Sequence, residues 1–119
     1  MILTKPNHIK IYGHRGARGD LPENTLESFK YLFENKISAY ETDILLTKDL
    51  IPVVYHDFRL NPALTKDAQG NWIEDNDIKI FDLTYEELSK FKIGEIDKKS
   101  KYGKRFNNQK SLGEIKIPK

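Results

Sequence analysis

Two histidines are the first candidates for chemistry, because each follows a short β-prone segment and is itself followed by a charged residue. His14 lies just after segment 8–12, and His56 lies just after segment 51–55. The carboxyl ends of parallel strands meet at one edge of a sheet, so the two histidines are expected to converge. Imidazole exchanges protons near neutral pH, so the pair could supply a general base and a general acid. The spacing alone does not say which histidine takes which part.

Two carboxylates, Glu41 and Asp43, alternate along the apolar segment 39–46. In a β-strand, residues i and i+2 share a face, so these carboxylates would lie about 6–7 Å apart on one side. Ile44 and Leu46 would then face the helices on the other side. Burying two anions without compensation is unfavourable, and a hard cation with oxygen ligands is the usual solution. The alternative is an exposed edge strand whose acids face water.

Arg15 adds a third kind of group to this set, because its planar guanidinium suits a phosphate or a carboxylate. A divalent cation, an arginine and two histidines together fit the cleavage of a phosphodiester. The cation and Arg15 would neutralise the non-bridging oxygens, while one histidine activates the attacking oxygen and the other protonates the leaving alcohol. The chain has no cysteine, so oxygen and imidazole are the groups left for such chemistry.

The elements that must position these residues alternate between strand and helix. Segments 8–12, 39–46 and 51–55 are β-prone, and a turn at 47–49 separates the last two. Asn24 is predicted to open a helix that runs to residue 35, because the apolar residues that follow recur at helical spacing. This alternation favours a parallel α/β arrangement with the helix on the outside.

The second half of the chain is polar and rich in turns. Thr84 and Glu87 have the spacing of a capping box, which predicts a short helix over 85–92. The basic segment 98–110 has few aliphatic residues and is predicted to be a solvated loop. Residues 115–118 are expected to begin a further element.

The composition fits at most one small domain and does not indicate a nucleic-acid partner. Of the 119 residues, 38% are hydrophobic and 32% are charged, with a net charge of +2. An acidic block over 67–87 and a basic block over 92–119 cancel each other. No apolar run is long enough to span a membrane or to form a secretory signal. The chain as written is therefore expected to be cytoplasmic, and periplasmic or secreted if its N-terminus is trimmed.

Short motifs along the chain resemble those of the glycerophosphodiester phosphodiesterases. In chain order, the matching stretches are Gly13–Gly19, Leu21–Thr25, Glu41–Asp43, Thr47–Asp49 and Val53–Asp57. The resemblance implies the N-terminal part of a TIM (β/α) barrel of the phospholipase-C-like phosphodiesterase type. In this interpretation, residues 1–119 are a partial domain, with a strand–helix–strand core over 8–56 and a polar insertion after the second strand over 57–117.

The resemblance also implies an activity, which is the hydrolysis of glycerophosphodiesters to glycerol 3-phosphate and an alcohol in lipid metabolism. The implied site residues are the catalytic pair His14 and His56, the substrate-binding residues Arg15 and Glu23, and Glu41 and Asp43 as ligands of a Mg²⁺ or Ca²⁺ ion. Glu23 has an alternative interpretation as a residue that only favours the start of the helix.

Two departures from the family pattern keep other functions open. Leu50 stands where the family usually has glycine, which affects the turn rather than the chemistry. A third metal-binding glutamate, followed two residues later by lysine, comes in the family from a later strand, and Glu114–Lys116 imitates it only locally. One alternative is a truncated or inactive chain that binds a partner or a phosphorylated ligand without turnover. In that case, the C-terminal barrel half or an oligomeric partner would be missing. The other is a phospholipid head-group phosphodiesterase of the sphingomyelinase D-like type.

Overall fold

Short strands and helices joined by long irregular segments make up the computed structural model, which describes residues 9–119. In chain order, the described elements are β1 (Gly13–His14), α1 (Leu26–Glu34), β2 (Tyr40–Glu41), β3 (Ile44–Leu46), β4 (Pro52–Val54), a 3₁₀ turn (Ile80–Asp82), α2 (Tyr85–Leu88) and α3 (Lys101–Arg105).

β1 and β2 form the parallel pair that the sequence predicts. Gly13 lies opposite Tyr40 and His14 opposite Glu41, and α1 connects the two strands. Leu32 of α1 packs so closely on Gly13 that a Cβ there would overlap the leucine side chain. Glycine is therefore needed at the point where the helix crosses the end of β1.

The predicted first strand over 8–12 is misplaced. His8 lies outside the described residues, and residues 9–12 are not in a strand. Ile9 and Tyr12 are 44% and 59% exposed, so the apolar side chains of this segment are not packed against a core within the described residues. Strand pairing begins only at Gly13.

Helix α1 begins one residue later than predicted. The Thr25 hydroxyl accepts a hydrogen bond from the backbone N–H of Ser28 at 3.1 Å, which makes Thr25 the N-cap. Asn24 has a φ of 53° and lies outside the helix. Its side chain is therefore free to contact the strands, as described below.

The single strand predicted over 39–46 is divided in two. β2 pairs with β1, whereas β3 pairs with β4 in an antiparallel hairpin that sets Leu45 opposite Val53. The break falls at Thr42 and Asp43, so the predicted common face of alternating carboxylates does not extend through one strand. Ile44 and Leu46 are 58% and 45% exposed in the described structure, so the expectation that they pack against helices is wrong. Leu45 packs against the core instead.

One apolar core joins β4 to the second half of the chain. Its buried members are Val53, Tyr55, Leu60, Ile73, Ile80, Leu88, Ile93 and Ile117. The segment 115–118 does not begin a helix or strand. Instead, the Pro118 carbonyl accepts from Val54 N at 2.9 Å and Ile117 is fully buried. The last residues thus complete the core beside β4.

The helices of the second half differ in length and place from the predictions. The capping box at Thr84 and Glu87 is present, but α2 ends at Leu88, and Lys92 forms paired backbone hydrogen bonds with Lys66 instead of continuing the helix. Segment 98–110 is not a solvated loop, since it contains α3 and the buried residue Gln109. No helix within residues 9–119 has the length and apolar character needed to cross a membrane.

Candidate functional site

The loop between β1 and α1, residues 15–24, is called the site loop below. Arg15, Gly16 and Asn24 have φ values of 54°, 86° and 53°, which lie in the left-handed region that non-glycine residues rarely occupy. A Cβ at Gly16 would overlap the Ser28 hydroxyl, which accepts from Ala17 N at 2.5 Å. Such backbone strain persists only where the surroundings determine the conformation strongly, and it often marks a binding site.

Arg15 contacts three carboxylates, two through its guanidinium and one through its backbone N–H. Its Nη1 donates to Glu23 Oε2 at 3.1 Å, and its Nε lies 3.9 Å from Asp43 Oδ2. The backbone N–H of Arg15 donates to Glu41 Oε2 at 3.2 Å. Within the described part of the chain, Nε is buried without a hydrogen-bond partner. The guanidinium is therefore held at Nη1 by Glu23, and its buried Nε–H lacks an acceptor.

Asn24 links the two strand segments that carry the carboxylates. Its Nδ2 donates to Asp43 Oδ2 at 3.1 Å, and its Oδ1 accepts from the Thr42 hydroxyl at 3.0 Å. The asparagine side chain thus occupies both polar groups at the break between β2 and β3. These two hydrogen bonds lie at the interruption of the strand predicted over 39–46.

His14 has a hydrogen-bond partner on one side of its ring and a carboxylate at ion-pair distance on the other. Nδ1 lies 2.9 Å from Arg18 Nη2, and Nε2 lies 3.7 Å from Glu41 Oε2. A guanidinium only donates, so Nδ1 must accept and the ring proton is on Nε2, facing the carboxylate.

His56 has the opposite arrangement. Its Nδ1 lies 2.5 Å from Asp57 Oδ1, and Asp57 Oδ2 accepts from Asn61 Nδ2 at 3.3 Å. A carboxylate only accepts, so Nδ1 carries the proton and Nε2 of the neutral ring has a free lone pair. An open cleft of about 400 Å³ lies beside His56 and is also lined by Phe58 and Asn76.

The structure joins five of the six predicted site residues in one network of hydrogen bonds and ion pairs. These residues are His14, Arg15, Glu23, Glu41 and Asp43. His56 has no such bond to them within residues 9–119, but its neighbour Tyr55 donates from the backbone to the Asp43 carbonyl at 3.1 Å. Glu23 is 8% exposed and pairs with Arg15, so it takes part in the site loop rather than in α1.

Three contact residues of the site escaped the sequence analysis. The Tyr102 hydroxyl donates to Glu23 Oε1 at 2.6 Å, and Gln109 Nε2 donates to the Arg18 carbonyl at 2.7 Å. Asn24, assigned only to the helix start, is the third. Burial and the charge of Glu23 raise the pKa of Tyr102, so its hydroxyl stays protonated as a donor. A sequence signal for α3 did exist, because Ser100 is a good N-cap residue and Tyr102 and Phe106 are spaced by four.

The carboxylates of Glu41 and Asp43 suit part of a hard-cation site. Both offer oxygen ligands, and their side chains are 48% and 22% exposed, so a cation could reach them. Among the residues that the structure describes, no group of three or more histidine, aspartate and glutamate side chains forms a complete metal site. The two carboxylates fit such an ion in chemistry, and they would supply only a part of its ligands.

Known proteins share this arrangement of motifs and this fold. The model of the glycerophosphoryl diester phosphodiesterase family matches residues 14–118. A glycerophosphodiester phosphodiesterase of Bacillus altitudinis is 37% identical over 81 residues, covering 68% of this chain and 29% of that protein.

Two solved structures extend the comparison to three dimensions. A protein of Silicibacter pomeroyi named as a glycerophosphoryl diester phosphodiesterase matches with a TM-score of 0.92 and 38% identity, over 96% of this chain and 38% of that one. A phosphodiesterase of Oleispira antarctica, solved in complex with the product sn-glycerol-3-phosphate, matches with a TM-score of 0.62 and 28% identity, over 92% of this chain and 36% of that one. The chain thus has the fold of one part of these proteins and spans less than two fifths of their length.

Proposed function

The chain belongs to the glycerophosphoryl diester phosphodiesterase family, and from this premise we propose that it carries the phosphate-binding and proton-transfer residues of a metal-dependent hydrolase. The reaction would convert glycerophosphodiesters to glycerol 3-phosphate and an alcohol, as part of lipid metabolism. In this proposal, residues 8–56 form the strand–helix–strand start of a TIM barrel and residues 57–117 form a polar insertion after its second strand. The observation that carries the proposal is the connected network around Arg15.

Arg15 would bind the phosphate of the diester. Its guanidinium is held by Glu23, and a phosphate oxygen is a strong acceptor for the N–H groups of a guanidinium. The Oleispira antarctica phosphodiesterase was solved with sn-glycerol-3-phosphate, which supports a phosphorylated glycerol as the ligand of this chain as well.

Glu41 and Asp43 would hold a Mg²⁺ or Ca²⁺ ion through their carboxylate oxygens. When bound, such an ion would neutralise charge on the non-bridging oxygens of the phosphate. Replacing Glu41 by glutamine should weaken binding of the divalent ion in a calorimetric titration. An unchanged titration would remove Glu41 from the ligand set.

The hydrogen bonds of the two histidines suggest different proton-transfer roles. His56 has its Nδ1–H held by Asp57, so Nε2 is available to take a proton from the attacking oxygen. His14 presents its Nε2–H, as a donor to the leaving oxygen must. Full proton transfer from His14 requires the imidazolium form, in which Nδ1 is also protonated and Arg18 has moved aside.

The proposed activity is tested by release of sn-glycerol 3-phosphate from glycerophosphocholine, with Mg²⁺ or Ca²⁺ present and with a chelator. His14→Ala and His56→Ala should each lower turnover by about 10²–10⁴-fold if both residues transfer protons. Near-full activity in either variant would exclude that histidine from the mechanism. Sphingomyelin serves as the second substrate, and faster cleavage of it would favour a sphingomyelinase D-like head-group phosphodiesterase.

Binding without turnover is the second candidate function. It requires only the anion-binding part of the site, the Arg15–Glu23 pair, and no proton-transfer step. A calorimetric titration with sn-glycerol 3-phosphate distinguishes the two. Saturable binding that Arg15→Ala abolishes, together with no release from glycerophosphocholine, would identify a phosphate-binding chain that needs a partner or further barrel strands for catalysis.

A further inference from the structure

Residues 100–110, called the 100–110 segment below, pack directly on the site loop. The Tyr102 hydroxyl donates to Glu23 Oε1 at 2.6 Å, and Gln109, which is 4% exposed, donates to the Arg18 carbonyl at 2.7 Å. The backbone N–H of Lys110 donates to the Asp20 carbonyl at 2.9 Å. The segment therefore holds the site loop near its start, its middle and its end.

An aromatic cluster strengthens the same contact. The Arg18 guanidinium lies 4.6 Å from the centre of the Phe106 ring, and the rings of Phe106 and Tyr102 are 4.7 Å apart. An arginine at this distance from an aromatic face is attracted to it electrostatically. The Tyr102 ring is thereby held in place, and its hydroxyl is fixed toward Glu23.

Glu23 transmits this constraint to Arg15. Its Oε1 accepts from Tyr102, and its two oxygens lie 3.4 and 3.1 Å from Arg15 Nη1. Glu23 is nearly buried, so bulk water cannot readily replace a lost hydrogen bond to its carboxylate, and the loss would cost free energy. Its orientation, and that of the guanidinium attached to it, depends on the Tyr102 hydroxyl.

We propose that Tyr102 is a positioning residue that fixes, through Glu23, the direction of the Arg15 guanidinium toward its anion. The inference rests on the proposed function for the identity of the anion, a phosphate ester, but not for the geometry. A segment distant in sequence from the motifs thus determines how the site loop presents its arginine.

The test uses nitrogen-15 spectra of the full 119-residue chain and the Tyr102→Phe variant, which removes only the hydroxyl. In the wild type, the Arg15 Nε–H is shielded from water. In the variant we expect a changed Arg15 Nε chemical shift and exchange of its proton with water faster by roughly tenfold, the effect of losing a hydrogen bond to a charged group. Affinity for sn-glycerol 3-phosphate should fall several-fold in parallel.

Tyr85→Phe is the matched control, because it removes a hydroxyl that donates to the Ile117 carbonyl at 3.2 Å, away from the site loop. Tyr85→Phe should leave the Arg15 signal unchanged, although it should lower stability by about as much as Tyr102→Phe. If Tyr102→Phe does not fold, Phe106→Leu replaces it, since this change loosens the Tyr102 ring without touching Glu23, and it should shift the Arg15 signal in the same direction.

An Arg15 signal that is unchanged in the folded variant, or that changes equally in Tyr85→Phe, would overturn the inference. The spectra need neither turnover nor a bound ion. Absence of phosphodiesterase activity would therefore overturn the proposed function alone, and an unaffected arginine would overturn the positioning role alone.

Discussion

At the scale of single residues, the partner of each histidine determines where its proton lies. Arg18 directs the His14 proton to Nε2, whereas Asp57 directs the His56 proton to Nδ1. Two histidines that occupy similar places in the sequence pattern therefore carry their ring protons on different nitrogens. This difference depends on residues one and four positions away, and it is open to direct measurement.

Asp57→Asn should reverse the proton position on His56. Asn61 Nδ2 donates to the second oxygen of Asp57, so the introduced amide would keep its oxygen there and turn its NH₂ toward His56. Nδ1 would then accept, and long-range nitrogen-15 spectra should show the ring proton moving to Nε2, with turnover lower by about 10²–10⁴-fold where it is measured. Asp77→Asn, whose carboxylate pairs with Arg59, is the control. An unchanged His56 spectrum would contradict the assignment.

Leu50 adopts a φ of 61°, which a leucine occupies at a cost of about 1–2 kcal/mol. It is 64% exposed, so little packing is lost when the side chain is removed. We expect the Leu50→Gly chain to be more stable than the Leu50→Ala chain by about 1 kcal/mol, because only glycine relieves the strain. Urea unfolding measures the difference.

Ala68→Gly is the control for this pair, since Ala68 is exposed and its φ is not positive. There the change to glycine should lower the free energy of unfolding by about 0.4–1 kcal/mol. Equal effects at the two positions would show that the left-handed backbone at Leu50 carries no strain.

At the scale of elements, the sequence predicts the features that depend on neighbouring residues and misses those that depend on distant contacts. The capping box at Thr84 and the helix over 26–34 were predictable, because both depend on residues within one or two turns. The break at Asp43 was not, because β2 and β3 pair with different strands, and Asn24, which binds Asp43 there, lies 19 positions earlier. The helix of the 100–110 segment was missed because its lysines and arginine suggested a solvated loop, although one side of the helix is apolar.

Tyr55 follows β4 and connects that strand to the second half of the core. Burial raises the pKa of Tyr55 to about 12, against about 10 in an unfolded chain. Below pH 10 both states keep the proton, and between pH 10 and 12 only the folded state does, so the free energy of unfolding falls as pH rises through this range. The loss attributable to Tyr55 is on the order of 2–3 kcal/mol.

Urea unfolding at pH 9.5 and 11.5 checks this expectation. The Tyr55→Phe chain is the reference, since it lacks the titrating hydroxyl and should lose less stability over the same interval. Tyr102, whose pKa is also raised, contributes equally to both chains and cancels in the comparison. Parallel declines in the two chains would show that Tyr55 does not titrate as described.

At the scale of the whole molecule, both halves of the sequence build one core. Ile117 is fully buried against residues that begin with Val53, and its neighbour Pro118 accepts a hydrogen bond from β4. The motifs of the first half were sufficient to predict a set of residues of which five lie in one network, because each motif is contiguous. The dependence of the fold on its last residues was not predictable, since it arises from packing between positions more than 60 apart.

Ile117→Ala should lower the free energy of unfolding by about 2–5 kcal/mol, the usual cost of a cavity left by a buried isoleucine. A domain of this size has about 5–15 kcal/mol in total, so the loss would be visible as a large shift of the urea midpoint. Leu26→Ala, at a position 64% exposed, should change stability by no more than about 0.5 kcal/mol. Similar small effects in both chains would mean that residues 115–118 are dispensable for the core.

The hydrogen bonds from Tyr102 to Glu23 and from Gln109 to Arg18 span 79 and 91 positions. During synthesis, a ribosome that has passed Asn24 has already made the arginine of the site, yet the residues that orient it are still untranslated. At about 5–20 residues per second, they emerge several seconds later. The nascent chain therefore exposes the site loop, with its two arginines and two acidic residues, and the contacts that hold this loop form only when nearly all of these 119 residues are available.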